Sequence, residues 1–346
     1  MALSYVLEGK WNLLTTENRR NLLVKMRSPP VFIATLELLL AGNNVHANPV
    51  TRGACTVKKQ YTVWQNLSDV DKAAYINAEL CLMAAPPRAD VPGAQNVWDE
   101  LTYAHAAQSD YIRNVGAFLP FHRYMLAAHA RLLEDECGYS GPIPYWYEPA
   151  DVGALAQATI FDPVTGFGGN GSGPSSCITD GPFVNTALRI EDDLSVGSYC
   201  LSRAFNEGYF DKAAQDNVDV CLAIPDFVKA SDCIGGNLLF GGHAGVNGVM
   251  ASLKLSPGDP LFYLHHGWLN KLWWDWEAQD LPARLTAMGG PNTPPGIDDP
   301  DFVDYFNDGG NVTTLDHVLW SHNIVPNATI ADVMDIGGDY VCAEFV

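Results

Sequence analysis

Basic residues are scarce in this chain. Its 346 residues carry 20 Lys and Arg against 40 Asp and Glu, a formal net charge of −20. A surface of that sign repels phosphate backbones and anionic lipid, so nucleic acid and membrane surfaces drop out as partners. Long apolar runs are also missing, and none reaches the roughly 18 residues that a membrane-spanning helix needs. No C-x-x-C pair occurs among the cysteines, which argues against a zinc knuckle or a thioredoxin-like redox motif. The glycine-dense stretch from Gly166 to Pro174 follows no predicted strand and opens no helix, so it is a loop and not a phosphate cradle. There is no internal repeat, low-complexity linker or long block of like charge.

What is present points to an exported globular chain. Hydrophobic residues make up 47% of the sequence, enough for a sizeable core. The segment Val31–Gly42 follows Lys25 and Arg27, and Val45-His46-Ala47 comes after it. That order of basic, apolar and small residues predicts a secretory signal cleaved near Ala47. Met26 is then the expected start and residues 1–25 an upstream extension. All eight cysteines (Cys55, Cys81, Cys137, Cys177, Cys200, Cys221, Cys233 and Cys342) lie after this point. An even number of widely spaced cysteines reads as disulfides. Four N-x-S/T sequons follow as well, at Asn66, Asn170, Asn311 and Asn327. The expected destination is the secretory pathway, as a secreted, cell-wall or vacuolar protein. The part from residue 48 to 346 reads as one domain.

Helical periodicity dominates wherever the pattern is clear: Asp69–Met83, Asn96–Gln108, Arg123–Glu136, Val246–Leu253 and Leu261–Ala278. A mainly α core with disulfide-tied loops follows. The histidines fall on these helices. His122 and His129 share a helix face but lie about 10 Å apart along the axis at ~1.5 Å per residue, too far for one metal ion. His122 is taken as the functional one and His129 as structural. His265 and His266 are consecutive and point about 100° apart, so one of them is expected to be a ligand and the other a neighbour in a supporting or catalytic role. Asp259 is expected to cap their helix. His243 lies in a glycine-rich entry to a helix, which permits close backbone approach. His46 falls in the leader, and His317 and His322 lie in the polar tail without metal-like partners.

Two phrases carry a family resemblance. Ser256-Pro-Gly-Asp-Pro-Leu-Phe-Tyr-Leu-His265-His266, running into Leu272-Trp-Trp-Asp-Trp276, resembles the last copper-binding helix of the tyrosinase, catechol oxidase and haemocyanin superfamily. Glu136-Cys-Gly-Tyr-Ser-Gly-Pro-Ile-Pro-Tyr-Trp146 resembles the loop after the first copper helix in the short fungal tyrosinase-like group. The resemblance implies a four-helix bundle around a metal site, and it covers most of residues 55–278. It also implies six histidines for two coppers, of which this chain keeps four: His105, His122, His243 and His266. By the family spacing the middle ligand of the first site falls on Arg113, and the position four before His243 is Leu239. A glutamate of the family falls near Ala130, and an Asp-Arg pair becomes Asn270-Lys271.

The altered set changes the expected chemistry. Arginine stays protonated and offers no lone pair to a metal, and leucine offers no ligand. Two coppers that activate dioxygen need about three imidazoles each, so half-stripped sites hold copper weakly. One divalent ion is expected instead, with zinc favoured and copper as the alternative. It is held by the four imidazoles, or by His243 and His266 with water and a carboxylate not recognisable from sequence. Arg113 is expected to stabilise an oxyanion or carbonyl, and His265 to stand beside the metal as a catalytic group. The function so implied is a non-oxidative lyase or rearrangement enzyme of fungal secondary metabolism acting on a small aromatic substrate. The cyclopenase type, a lyase that turns a benzodiazepine into a quinolone, is the nearest analogue. The alternatives are a dicopper catechol or phenol oxidase, and a metal-free binding protein. Oligomeric state is left open.

Overall fold

A computed structural model describes residues 54–294 and 307–346. The expected leader and His46 lie outside the described residues. Nine α-helices occur among them: α1 Asp69–Ala84, α2 Val97–Gln108, α3 Phe118–Cys137, α4 Glu207–Phe210, α5 Gln215–Leu222, α6 Phe227–Cys233, α7 Leu239–Val246, α8 Leu261–Ala278 and α9 Ile330–Met334. The fold is mainly α, in keeping with the helical bundle that the resemblance implies, with α8 packed against both α3 and α7.

Local chemistry accounts for the helix ends. Ser68 caps α1 by accepting from the Asp71 amide at 3.2 Å, and Asn96 caps α2 by accepting from the Asp99 amide at 2.7 Å. Acidic residues fill both first turns, where the helix dipole favours them. The long helix α3 stops at Gly138, whose φ of 65° is left-handed and costs a glycine nothing. Residues of α3 face the core along its length, from Phe118 to Leu133. Trp268, Trp273 and Trp276 of α8 are each at most 1% exposed, so that helix is the hydrophobic axis of the domain.

Two buried ion pairs tie distant segments together. The Arg123 guanidinium meets the Glu277 carboxylate at 2.8 Å, donates to the Asn270 side chain at 2.6 Å and lies 3.6 Å over the Trp273 ring. Arg203 grips Asp259 with two hydrogen bonds of 2.8 and 2.9 Å. Asp259 also accepts the Leu261 amide at 3.0 Å, although the cap position of α8 itself is taken by Pro260 and not by Asp259 as expected. Breaking such a fully buried pair by truncating one partner typically costs about 3–5 kcal/mol.

Around the bundle, the strand Lys59–Val63 pairs in parallel with Ile143–Tyr145 and with Ala343–Phe345. Four disulfides staple the loops: Cys55–Cys342, Cys81–Cys137, Cys177–Cys200 and Cys221–Cys233. The first joins segments 287 residues apart, where a cross-link removes the most chain entropy from the unfolded state. Among the described residues no helix is long and apolar enough to cross a membrane. All four sequon asparagines are exposed.

One helix is misplaced by periodicity. A helix was expected over Val246–Leu253, but α7 ends at Val246 and only a single 3-10 turn, Gly248–Ala251, follows. Asn247 and Gly248 adopt φ of 59° and 60°, which ends the helix there. The glycines read as a helix entry lie inside α7. A further difference is in the tail, where Ile324, Val325, Ile330 and Val333 are buried although the segment reads as polar.

Candidate metal centre

Each half of the bundle brings its histidines inward from a different direction. His105 ends α2, His122 sits one turn into α3, His243 lies in α7, and His265 and His266 lie in α8. His105, His122, His265 and His266 are buried. The rings of His122 and His266 stack 4.2 Å apart, His105 lies 5.7 Å from His122, and His243 lies 5.3 Å from His266. Four of the histidines named from sequence therefore meet in one place.

Backbone carbonyls fix the tautomer of three of them. The Nδ1–H of His105 donates to the Lys254 carbonyl at 2.9 Å, that of His122 to Phe118 at 2.7 Å, and that of His243 to Met250 at 2.5 Å. A carbonyl can only accept, so each ring is left with a bare Nε2 lone pair. This is the tautomer that a metal ligand requires. Burial and the neighbouring imidazoles push His122, His243 and His266 well below the usual histidine range, and burial takes His105 down to about 4. The Arg113 guanidinium adds to that lowering at His105, His122 and His243. All four rings are therefore neutral at ordinary pH.

The tightest contact lies between α7 and α8. Nε2 of His243 and Nε2 of His266 are 3.2 Å apart. Two ligands on one tetrahedral ion with bonds of about 2.0–2.1 Å stand about 3.3 Å apart. The spacing thus suits a cation, or a shared proton, between them. Ring nitrogens of His243, His265 and His266 all lie within 4.8 Å of one another. Nδ1 of His266 and Nε2 of His265 are buried without a hydrogen-bond partner. Such orphaned atoms are costly unless something else satisfies them. The donor set fits one ion.

This corrects the reading of the His-His doublet. Side chains 100° apart on α8 were expected not to serve one metal. The ring of His243 enters the angle between them, 4.7 Å from His265 and 5.3 Å from His266, so three imidazoles cluster after all. His265 is fully buried and does not line the cavity, so it faces its fellow imidazoles and not a substrate.

Sequence reading missed the group behind His265. Glu148, in the turn after Trp146, places Oε1 within hydrogen-bond distance of His265 Nδ1, at 2.5 Å. Burial pushes the Glu148 carboxyl well above its usual range and His265 down to about 3. A Cβ on Gly242 would lie 2.3 Å from His265 Nδ1 and 2.6 Å from Glu148 Oε1, so only glycine fits between them. Nothing local marks Glu148 in the sequence, since its partner lies 117 residues away. The other histidine of α3, His129, is occupied elsewhere, as expected of a structural residue, with Nε2 3.0 Å from Glu79 and its ring stacked on Tyr263.

The imidazoles open onto a cavity of about 420 Å³, lined among others by His105, His122, His243, His266, Arg113 and Leu239. Arg113 and Leu239 thus stand on the wall beside the histidines, at the two positions where the family spacing expects further ligands. Leu239 follows directly on a π-helical turn, Ile234–Leu238, that joins α6 to α7. Such turns often accompany functional sites.

The model of the common central domain of tyrosinase matches residues 95–279. The chain belongs to the tyrosinase family. Members of this family bind metal ions, normally copper. A tyrosinase-like protein of Diaporthe leptostromiformis is 30% identical over 319 residues, covering 84% of this chain and 80% of that protein. An N-acetyl-6-hydroxytryptophan oxidase of Emericella nidulans is 25% identical, over 82% of this chain and 90% of the other. Among solved structures, a polyphenol oxidase from Thermothelomyces thermophila superposes with a TM-score of 0.69 at 24% identity, covering 84% of this chain and 88% of that one. At that identity the likeness establishes the fold alone.

Proposed function

We propose that this tyrosinase-family chain is a metal-dependent enzyme of fungal secondary metabolism that acts on a small aryl-containing compound. In this reading its site holds one divalent ion, zinc in preference to copper, and catalyses a non-oxidative lyase or rearrangement step. The observation that carries the proposal is the wall of the cavity, where Arg113 and Leu239 stand beside the histidines; on the family spacing these are the positions of two further imidazoles. Five histidines remain around the centre, too few for two ions with three imidazoles each.

A bound ion of this kind supplies Lewis acidity toward a substrate oxygen. The chain's own groups do the rest. The Nε2 atoms of His243 and His266 are the proposed ligands, and His105 and His122, set in the same tautomer by their carbonyls, face the ion across the cavity. His265, oriented by Glu148, completes the cluster on the α7–α8 side. Arg113 donates one hydrogen bond, to the Leu253 carbonyl at 3.3 Å. Its remaining N–H groups are placed to hold a charged or polarised oxygen of the substrate. Phe118 and Leu239 on the cavity wall keep the aromatic frame out of water.

A second reading, a copper phenol oxidase, is favoured by two observations: a relative is named as an oxidase, and His265 joins His243 and His266 within ligand range. Oxygen uptake separates the two. The metal-loaded chain, incubated with mono- and diphenols in an oxygen electrode, should consume no oxygen above the blank. Sustained uptake with quinone formation would overturn the non-oxidative reading in favour of the oxidase. We further propose that residues 48–346 act as one exported domain after loss of a leader, a reading supported by the four disulfides and the exposed sequons.

A further inference from the structure

The charge of the cavity runs against the charge of the chain. Across the whole sequence acidic residues outnumber basic ones two to one, yet no Asp or Glu lines the histidine cavity, and two cations do. Arg113 enters from the loop between α2 and α3, and Lys212 from the turn between α4 and α5. Neither makes an ion pair among the described residues. Arg113 makes its one hydrogen bond to a carbonyl, and the Lys212 ammonium lies 5.9 Å over the Phe240 ring. The acid whose charge bears on Arg113 is Asp110, which is exposed to solvent and outside the cavity lining, and Asp232 lines only the neighbouring second chamber. A low-dielectric chamber with cations on its wall and no anion concentrates negative ligands.

The space beyond Arg113 is also open. A second cavity of about 490 Å³ shares Arg113, Phe118, Gly235, Gly236 and Leu239 with the first. Arg113 therefore stands where the two chambers meet. A Cβ on Gly236 would meet nothing within 4 Å, so the floor between them is bare. A molecule with its ring among the histidines passes the guanidinium before its remainder reaches the second chamber.

Building on the proposed aryl-directed metal enzyme, we infer that its substrate carries a carboxylate on an aromatic frame larger than a simple phenol, with Arg113 holding the carboxylate and Lys212 reinforcing it from the mouth. Arg113 then serves as a substrate-binding residue that sets specificity by charge. Its planar fork matches a carboxylate in a way the lost histidine could not.

The test needs no turnover. Isothermal titration of the full metal-loaded chain compares 4-hydroxycinnamate with its neutral primary amide. The acid is expected to bind about tenfold or more tightly, with its advantage falling as salt rises from 20 to 200 mM, about the range over which exposed charges become screened. Arg113→Gln and Lys212→Gln should each shrink the acid-to-amide ratio toward one, and Arg113→Lys should restore part of it. Equal binding of acid and amide by the native chain overturns the inference while leaving the metal reading intact, as does a ratio that survives the double Arg113→Gln, Lys212→Gln variant. A chain that carries no metal but still prefers the acid upholds the inference and overturns the metalloenzyme reading. If neither compound binds although metal is present, the aryl carboxylate is wrong as the substrate class.

Discussion

The two halves of the histidine cavity are built differently. On the α7–α8 side three imidazoles crowd together, two of them with Nε2 atoms 3.2 Å apart, and a buried glutamate braces the third. On the α2–α3 side two imidazoles stand 5.7 Å apart by ring centre, with an arginine beside them. One half has the spacing of ligands around an ion. The other pairs a reduced ligand set with a fixed cation. The contrast suggests a division of labour in which one half holds metal and the other receives the negative end of a substrate.

The division can be broken most severely at α7. His243→Ala should lower metal affinity by more than the roughly 10–100-fold that losing a supporting partner costs, leaving the purified chain nearly metal-free. His105→Ala, on the other half, should lower it far less. Equal losses in the two variants, measured by equilibrium dialysis, would erase the distinction. The converse change sharpens it. Arg113→His combined with Leu239→His restores the family pattern on both walls and should raise copper uptake toward two ions per chain. No gain would remove support from the placement of the two lost ligands.

Glu148→Gln comes next in size. It keeps the shape but replaces the carboxyl that orients His265, and should weaken metal binding about 10–100-fold. A chelator competition titration reads this directly. If the affinity does not move, His265 takes no part in holding the ion.

How much of this was legible beforehand depended on range. Helices α1, α2 and α8 are marked by their caps and periodicity and fall within a residue or so of their expected limits. The four inward histidines were legible from family spacing, because His105, His122, His243 and His266 sit at fixed steps along helices. The groups that were not legible are those whose partners are remote. Glu148 and His265 are 117 residues apart, and Arg123 and Glu277 are 154 apart. No local pattern distinguishes such residues from surface charges. The position of α7 was missed because its glycines read as the entry to a helix beginning at Val246, but the close approach expected of them is present: Gly242 leaves room for Glu148 and His265.

The smallest expected effect concerns stability and the buried carboxyls outside this division. Burial raises Glu277 to about 7, and it also raises Asp99, Glu100, Glu148 and Asp151. In the unfolded chain these groups ionise at about 4. Between that value and the folded one, the native state keeps protons that the unfolded state has released, so stability is present in acid and lost as pH rises. Repulsion within a chain of net charge −20 has the same sign. The buried histidines act in the opposite sense: His105 and His265, lowered to about 4 and about 3, stay neutral in the folded chain while the unfolded chain binds protons below about 6.5, so they cost stability as pH falls. Calorimetry separates the two by difference: the melting temperature of Glu277→Gln relative to the native chain should be some degrees higher at pH 8 than at pH 5, and a difference independent of pH would mean that Arg123 keeps Glu277 ionised throughout.

The central claim is that one half of the cavity holds an ion and the other does not, and metal stoichiometry tests it most directly. Inductively coupled plasma mass spectrometry on the purified chain should find close to one divalent ion per chain, with zinc in excess over copper. About two coppers per chain would contradict the account and place a full pair of metal sites where Arg113 and Leu239 stand.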